Sequence, residues 1–362
     1  MLISKLDSAY KMRPKGIYYQ VRSSFSWLVD AVPSTASDPK EPWVRITTTF
    51  FVGLDQLELA STPTRGDRFF DEYYLTTDQK TISNLVHPYA HAIGNVEARY
   101  LTGGGAKALV YRSSSQEVDL EDIGGSLEKL LVEDMLSVKL LQFYLWLVKD
   151  NAAHFDRFWI ATRTTQGLVV NNNTWGERPS CADGSFKIVR FNKDELKVAR
   201  SPNFQRPDYI TSKENPTMLV GSSLRYERFT YFLDAARSSK DVALKIAQYC
   251  SALEAMVSTS QSEISHQVSE RVASTLNGPG EERIGLFKLI KEAYGYRSKA
   301  IHGATFKTKD ADRLRECASE LDESCRRLWF VYADPSSGFR DSIEVSDQIA
   351  TDYFLQRTLG RA

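Results

Sequence analysis

The chain has 362 residues, 42% of them hydrophobic, which is enough for two packed cores and too apolar for disorder throughout. Its 46 basic and 46 acidic side chains cancel, so no global charge draws it to nucleic acid or to an anionic membrane, and any RNA contact must come from a local patch. Four cysteines, Cys181, Cys250, Cys317 and Cys325, lack both the paired spacing of a zinc ribbon and the density of a secreted disulfide scaffold, so a reducing cytoplasm is expected.

The amino terminus, MLISKLDSAYKMRPKG, carries charges where a signal peptide needs an apolar run. The most apolar stretch, around Leu140 to Val148, is too short to span a bilayer, so no membrane contact is expected. From about Trp43 to Arg200, β-branched and aromatic segments predict strands at 43–54, 67–77, 106–114, 156–165, 167–175 and 185–191. One long helix is expected from about Leu120 to Asn151, with leucines on one face and a start that Gly124 and Gly125 could delay. The stretch 201–223 is rich in Pro, Ser and Asn and breaks both periods. The expected fold is therefore α+β: a strand-rich mixed domain over 1–221, a helical bundle over 222–334, and a tail over 335–362 that packs loosely or reaches a partner.

Five bundle helices are predicted, over about 224–237, 240–258, 263–276 and 281–296, with the fifth starting near Lys309. The second carries Val242, Ile246, Tyr249, Leu253 and Met256 at alternating spacings of four and three; the third stops at Asn277 and Gly278. Glu254 and Arg271 both fall on apolar stripes, where a charge needs a partner, and Glu254 is expected to pair with Arg271 or with Arg297.

Between the last two predicted helices lies Tyr294-Gly295-Tyr296-Arg297-Ser298-Lys299-Ala300-Ile301-His302-Gly303. An arginine can offer two phosphate oxygens its planar fork of donors and stabilise the charge that builds there in a transition state. An imidazole ordinarily titrates near neutral pH and can take a ribose 2′ proton or return one to a leaving oxygen. The pair suits cleavage of RNA, which carries its own nucleophile, without a metal or cofactor; DNA would be a poor substrate. On one uninterrupted helix, residues 297 and 302 would project about 140° apart, so convergence needs a helix break, which Gly295 and Gly303 permit, or a second copy of the chain. Ser298 and Lys299 could assist positioning. From 297 to 315, Arg297, Lys299, Lys307, Lys309, Arg313 and Arg315 outnumber Asp310 and Asp312, a local charge of +4; Lys307, Lys309 and Arg313 are the expected RNA contacts.

With Ala252-Leu253-Glu254-Ala255 and Ser269-Glu270-Arg271-Val272-Ala273 upstream, the Arg-x4-His segment and its tyrosine-bearing helix resemble the HEPN ribonuclease superfamily, most closely its Apea-like members. The likeness covers roughly 222–334. It implies a homodimer that pools two Arg/His pairs in one cleft, with Arg297 and His302 catalytic and Glu254, Arg271, Tyr294, Ser298 and Lys299 in support. It also implies a role in antiphage defence by abortive infection or in a toxin-like system, held in check by an inhibitory or triggering partner. The competing expectation is a non-catalytic bundle that only dimerises or grips RNA.

Elsewhere the signals are weaker. His87 and His91 have a zinc-compatible spacing that Pro88 interrupts, and no third ligand lies nearby. His154 and His266 stand alone, Cys317 and Cys325 fall among leucines, and Gly103-Gly104-Gly105 reads as a turn. Lys149-Asp150-Asn151 matches no catalytic motif and reads as a helix end.

Overall fold

A computed structural model describes residues 43–60, 67–70, 72–119, 121–164, 167–199, 223–276 and 278–360. The expected boundary at 221/222 and the Asn277 stop signal lie outside these residues.

The amino-terminal half comprises β1 (Trp43–Asp55), β2 (Leu57–Leu59), β3 (Asp67–Phe70), β4 (Tyr73–Thr76), α1 (Gln79–Val86), α2 (Ala90–Ile93), α3 (Asn95–Thr102), β5 (Ala108–Asp119), α4 (Ile123–Val148), β6 (His154–Thr164), β7 (Gly167–Thr174), β8 (Val189–Phe191) and α5 (Lys193–Val198). Six strands form one antiparallel sheet in the order β3-β4-β5-β1-β6-β7, while β2 and β8 pair in parallel beside it. The 67–77 run is thus a hairpin rather than one strand, and the 185–191 strand is shorter than expected.

Both faces of the sheet are covered, which explains why β1 from Phe50 to Leu54 reads as a continuous apolar run rather than an alternation. Phe50 points to the α4 side, stacking on Phe158 at 6.2 Å, and Phe51 points to the opposite side, stacking on Tyr89 at 6.1 Å. The second side is closed by α1 to α3, whose Ile82, Val86, Ile93, Ala98 and Leu101 bury against Phe51, Leu109 and Trp159. The β1/β6 register shifts between Val52 and Leu54, at Gly53, where a Cβ would lie 3.0 Å from both Ala106 Cβ and Leu101 Cδ2. Glycine lets α3 approach the bulge without displacing those side chains.

Helix α4 starts on an Asp122 cap, three residues after the expected start and with Gly124 and Gly125 inside its first turn, and lays Leu127, Leu131, Val138 and Leu141 on the sheet. Leu136 is 41% exposed, off the face expected for it. One polar residue goes under with the leucines: Asp134 Oδ1 accepts from Tyr73 Oη at 2.5 Å and from Arg112 Nη2 at 2.7 Å, while its Oδ2 has no partner. Burial pushes the Asp134 carboxyl up to about 6, against the opposing pull of Arg112. The folded chain therefore holds this proton at pH values where the unfolded chain has lost it. The stability that it contributes is complete below pH 4 and is lost as pH rises through 6. In urea titrations between pH 4 and pH 7, wild type should lose on the order of 2 kcal/mol relative to Asp134→Asn, a two-unit difference in pKa being worth about that much. A pH-independent difference between the two proteins would contradict this assignment.

The carboxy-terminal half is helical: α6 (Arg225–Ser238), α7 (Val242–Val257), α8 (Ile264–Thr275), α9 (Gly280–Ile301), α10 (Ala311–Ala333), α11 (Phe339–Ile343) and α12 (Asp347–Leu359). The core helix is α7, fully burying Ile246, Tyr249, Leu253 and Met256 and packing on α6, α8, α9 and α10. The tail is not loose, as the sequence suggested. Phe339 and Phe354 bury at 0% and 2% exposure against each other and the end of α10, and Glu344 accepts from the backbone N–H groups of Arg225 and Tyr226 at the start of α6. Isolated aromatics in a polar tail give no clear helical period, so their burial shows only in three dimensions.

The two halves share one continuous hydrophobic core. Where α4 ends, Phe143 meets Trp329 of α10 edge to face at 5.2 Å. The Lys149-Asp150-Asn151 run is the joint: Lys149 bonds Glu195 and the Arg190 carbonyl, Asp150 accepts from Ala182 N, and the Asn151 carbonyl accepts from Arg237 of α6.

Candidate active site

Helix α9 is set by a buried stripe of Leu286, Ile290 and Ala293, at spacings of four and three. Arg297 is the next position in that stripe, so its side chain leaves α9 on the face packed toward α7. There it meets Glu254. Arg297 Nη2 lies 3.5 Å from both carboxylate oxygens, and Tyr294 Oη, one turn back, donates to Glu254 Oε1 at 2.8 Å. The guanidinium sits 5.7 Å from the centre of the Tyr294 ring and is 35% exposed. Burial and the Glu254 carboxylate push the Tyr294 phenol far up, so it stays a donor and fixes Glu254 in the orientation that holds Arg297.

The partner of Glu254 is therefore Arg297, not Arg271. Arg271 is buried elsewhere: it donates to the Val257 carbonyl at 2.7 Å and to Thr259 Oγ1 at 2.9 Å, and lies 4.6 Å over the Phe354 ring. It closes the end of α7 and ties it to α12. Burial, with Arg225 nearby, pushes its pKa down to about 10.

His302 is placed differently. Helix α9 continues unbroken through Ile301, and the break comes only afterwards, at Gly303, whose φ of +69° suits glycine. The N–H groups of His302, Gly303 and Ala304 bond the carbonyls of Ser298, Ala300 and Lys299 to close the helix. On helix geometry the imidazole then leaves about 140° around from Arg297, on the exposed outer side with Ser298 and Lys299. Of the two routes to convergence, a helix break between the two residues is absent, and one chain does not converge them.

Of the expected RNA contacts, Lys307 and Lys309 are exposed just beyond this helix end. Arg313 is not free: Glu292 holds it at 2.6 Å, and Glu316 and Glu320 each approach to 3.3 Å. Those glutamates lie outside the window from which the local +4 was counted, so that excess is smaller in space than in sequence. Lys299 leans toward Phe306 at 6.0 Å from the ring centre. Cys317 is pushed up to about 12 and Cys250 and Cys325 are pushed up further, all by burial, so none is a ready nucleophile. Among the described residues no group of three or more His, Cys, Asp or Glu side chains is placed so that it could hold a metal ion.

Arg297 and Glu254 line one side of an open groove of about 500 Å³, whose other side brings in Arg225 and Arg228 of α6 and Asp347 of α12. Sequence reading missed these residues. An Arg-x-x-Arg pair at the start of an amphipathic helix was visible in the sequence, but nothing there tied it to Arg297, some 70 residues on. No family model, curated protein or solved structure matches the chain.

Proposed function

We propose that the protein is a metal-independent endoribonuclease of HEPN type, active as a homodimer, with the amino-terminal α+β half as its recognition domain. The observation that carries this reading is a guanidinium, Arg297, held half-exposed by Glu254 and Tyr294 at a groove, one helix end away from an exposed histidine. Its chemistry follows from those groups. The ribose 2′ oxygen attacks phosphorus, the bond to the 5′ oxygen breaks, and the products are a 2′,3′-cyclic phosphate and a 5′ hydroxyl. Arg297 stabilises the charge on the phosphoryl oxygens; histidines take the 2′ proton and supply one to the leaving oxygen. Because His302 projects away from its own Arg297, the cleft pairs the arginine of one protomer with the histidine of the other. Ile301, 62% exposed beside His302, gives that contact an apolar anchor. The resemblance in the Arg-x4-His segment extends the proposal to cytoplasmic antiphage defence by abortive infection, or a toxin-like role, with an inhibitory or triggering partner.

Purified protein incubated with total RNA in EDTA tests it. Wild type should cut and leave cyclic phosphate ends, Arg297→Ala and His302→Ala should not, and Ile301→Asp should be monomeric and inactive. Equal RNA binding by all of them with no cutting, and no toxicity on expression, would instead leave a non-catalytic RNA-binding or dimerisation module.

A further inference from the structure

The groove that Arg297 lines contains more positive charge than the proposed reaction uses. Three arginines, Arg225, Arg228 and Arg297, line it with only two carboxylates, Glu254 and Asp347. Asp347 is taken by Arg225, which also donates to the Ser258 carbonyl and so is part of the wall. Glu254 is shared between Tyr294 and Arg297, and its contact with Arg297 at 3.5 Å is longer than the roughly 2.7–2.9 Å of a strong charge-assisted bond. Arg228 bonds the Ser223 carbonyl and, among the described residues, has no carboxylate at ion-pair distance. Burial and the neighbouring Arg225 charge push its pKa down, and the carboxylates of Glu344, Asp347 and Glu227, none of them at ion-pair distance from it, offset this only in part. Such an arrangement costs stability in the free protein and is relieved by an anion.

The remaining lining says what kind of anion. Phe232, half-buried, forms an apolar wall one turn along α6 from Arg228. Ser258, Thr259, Ser260 and Gln261, where α7 ends, line the same groove with polar groups. The volume of about 500 Å³ falls within the range of roughly 300–1,000 Å³ that holds a small ligand. A guanidinium pair, an aromatic face and a polar row together match a phosphate, a base and a 2′-hydroxyl. An unstacked base needs a single strand.

We propose that this groove binds the nucleotide next to the cleavage point in single-stranded RNA, its phosphate between Arg228 and Arg297, its base on Phe232 and its ribose against the polar row. Arg228 is then a substrate-binding residue. The proposal rests on the ribonuclease reading for the position of the cut, but binding can be measured without cutting.

The test uses full-length His302→Ala protein and a fluorescent single-stranded RNA of twelve nucleotides, titrated at several salt concentrations, with Arg228→Gln, Arg228→Lys and Phe232→Leu added in turn. Arg228→Gln should weaken binding about tenfold and reduce the slope of log affinity against log salt by about 0.7, the value for one phosphate contact on a single strand. Arg228→Lys should keep the slope and recover only part of the affinity, because an ammonium lacks the planar fork. Phe232→Leu should weaken binding without changing the slope, and DNA of the same sequence or duplex RNA should bind more weakly. Unchanged affinity and slope in Arg228→Gln overturns the proposal, as does equal affinity for all three nucleic acids or no binding of RNA at all. If Arg228→Gln does not melt as its parent does, Phe232→Leu and Arg228→Lys decide. Cleavage by wild type is scored separately. Cutting with the same KM in Arg228→Gln would remove this groove and leave the nuclease, whereas Arg228-dependent binding without cutting would remove the nuclease and leave the groove.

Discussion

Replacing Arg297 with alanine is expected to slow RNA cleavage by about a hundredfold to a thousandfold, the usual loss when one preorganised donor to a developing oxyanion is removed. The deficit should appear mainly in kcat, because the arginine acts most strongly on charge that exists only in the transition state. Arg297→Lys should recover little. Tyr294 and Glu254 hold a planar fork between them, and a lysine ammonium cannot meet both phosphoryl oxygens from that position. His302→Ala should be at least as damaging, about a hundredfold to ten-thousandfold. Mixing is the sharper measurement. If each cleft takes its arginine from one protomer and its histidine from the other, Arg297→Ala and His302→Ala chains, inactive alone, should regain cleavage together, through heterodimers that retain one intact cleft. Full activity of either variant alone would end the assignment. No recovery on mixing, with dimers formed, would place both residues of each pair on the same chain.

Much of this was legible in the sequence, and what was missed has a common cause. The first three bundle helices were found to within two residues because each keeps a regular apolar stripe, whereas the fourth runs five residues past its expected end, through Ile301; Arg297 and His302 were singled out by the resemblance of their segment and by the residue types that suit phosphate chemistry, not by a spacing that converges them. Helices α1 to α3 were not anticipated: they are short and interrupted by Pro88 and Gly94, so no window is long enough to show a period. Glu254 was recognised as a charge needing a partner, yet its stripe fits Arg271 as well as Arg297; only the direction in which each guanidinium leaves its helix decides between them. Arg313 looked like a free cation because the glutamates that hold it come from the preceding helix and from the next turns of its own. Arg228 went unnoticed for the converse reason. Its significance depends on whether any carboxylate among the described residues comes within ion-pair distance of it, and a sequence does not show that.

The joint between the two halves carries the other large expected effect. Asp322 of α10 is fully buried and accepts from Trp146 Nε1 at 2.8 Å, Tyr249 Oη at 2.9 Å and Arg326 Nη2 at 2.8 Å, gathering α4, α7 and α10 around one carboxylate. Trp146 in turn lies between two guanidinium groups, Arg326 at 5.3 Å and Arg237 at 5.7 Å from its ring centre, and Arg326 also donates to the Trp146 carbonyl. Asp322→Ala leaves the buried Arg326 guanidinium with only the exposed Glu323 carboxylate, at 3.0 Å, as counter-charge, and leaves the Trp146 N–H and Tyr249 O–H without this acceptor. Breaking a buried pair in this way typically costs about 3–5 kcal/mol, a large share of the roughly 5–15 kcal/mol by which a domain is stable. Asp322→Asn, which keeps an acceptor for the tryptophan and the tyrosine, should lose less. Since the core runs without interruption from the sheet to the bundle, the loss should lower one shared unfolding midpoint in urea, followed by tryptophan fluorescence and by circular dichroism together. A change below about 1 kcal/mol would mean that the network contributes little net stability. Two separated transitions in wild type would mean that the halves fold independently.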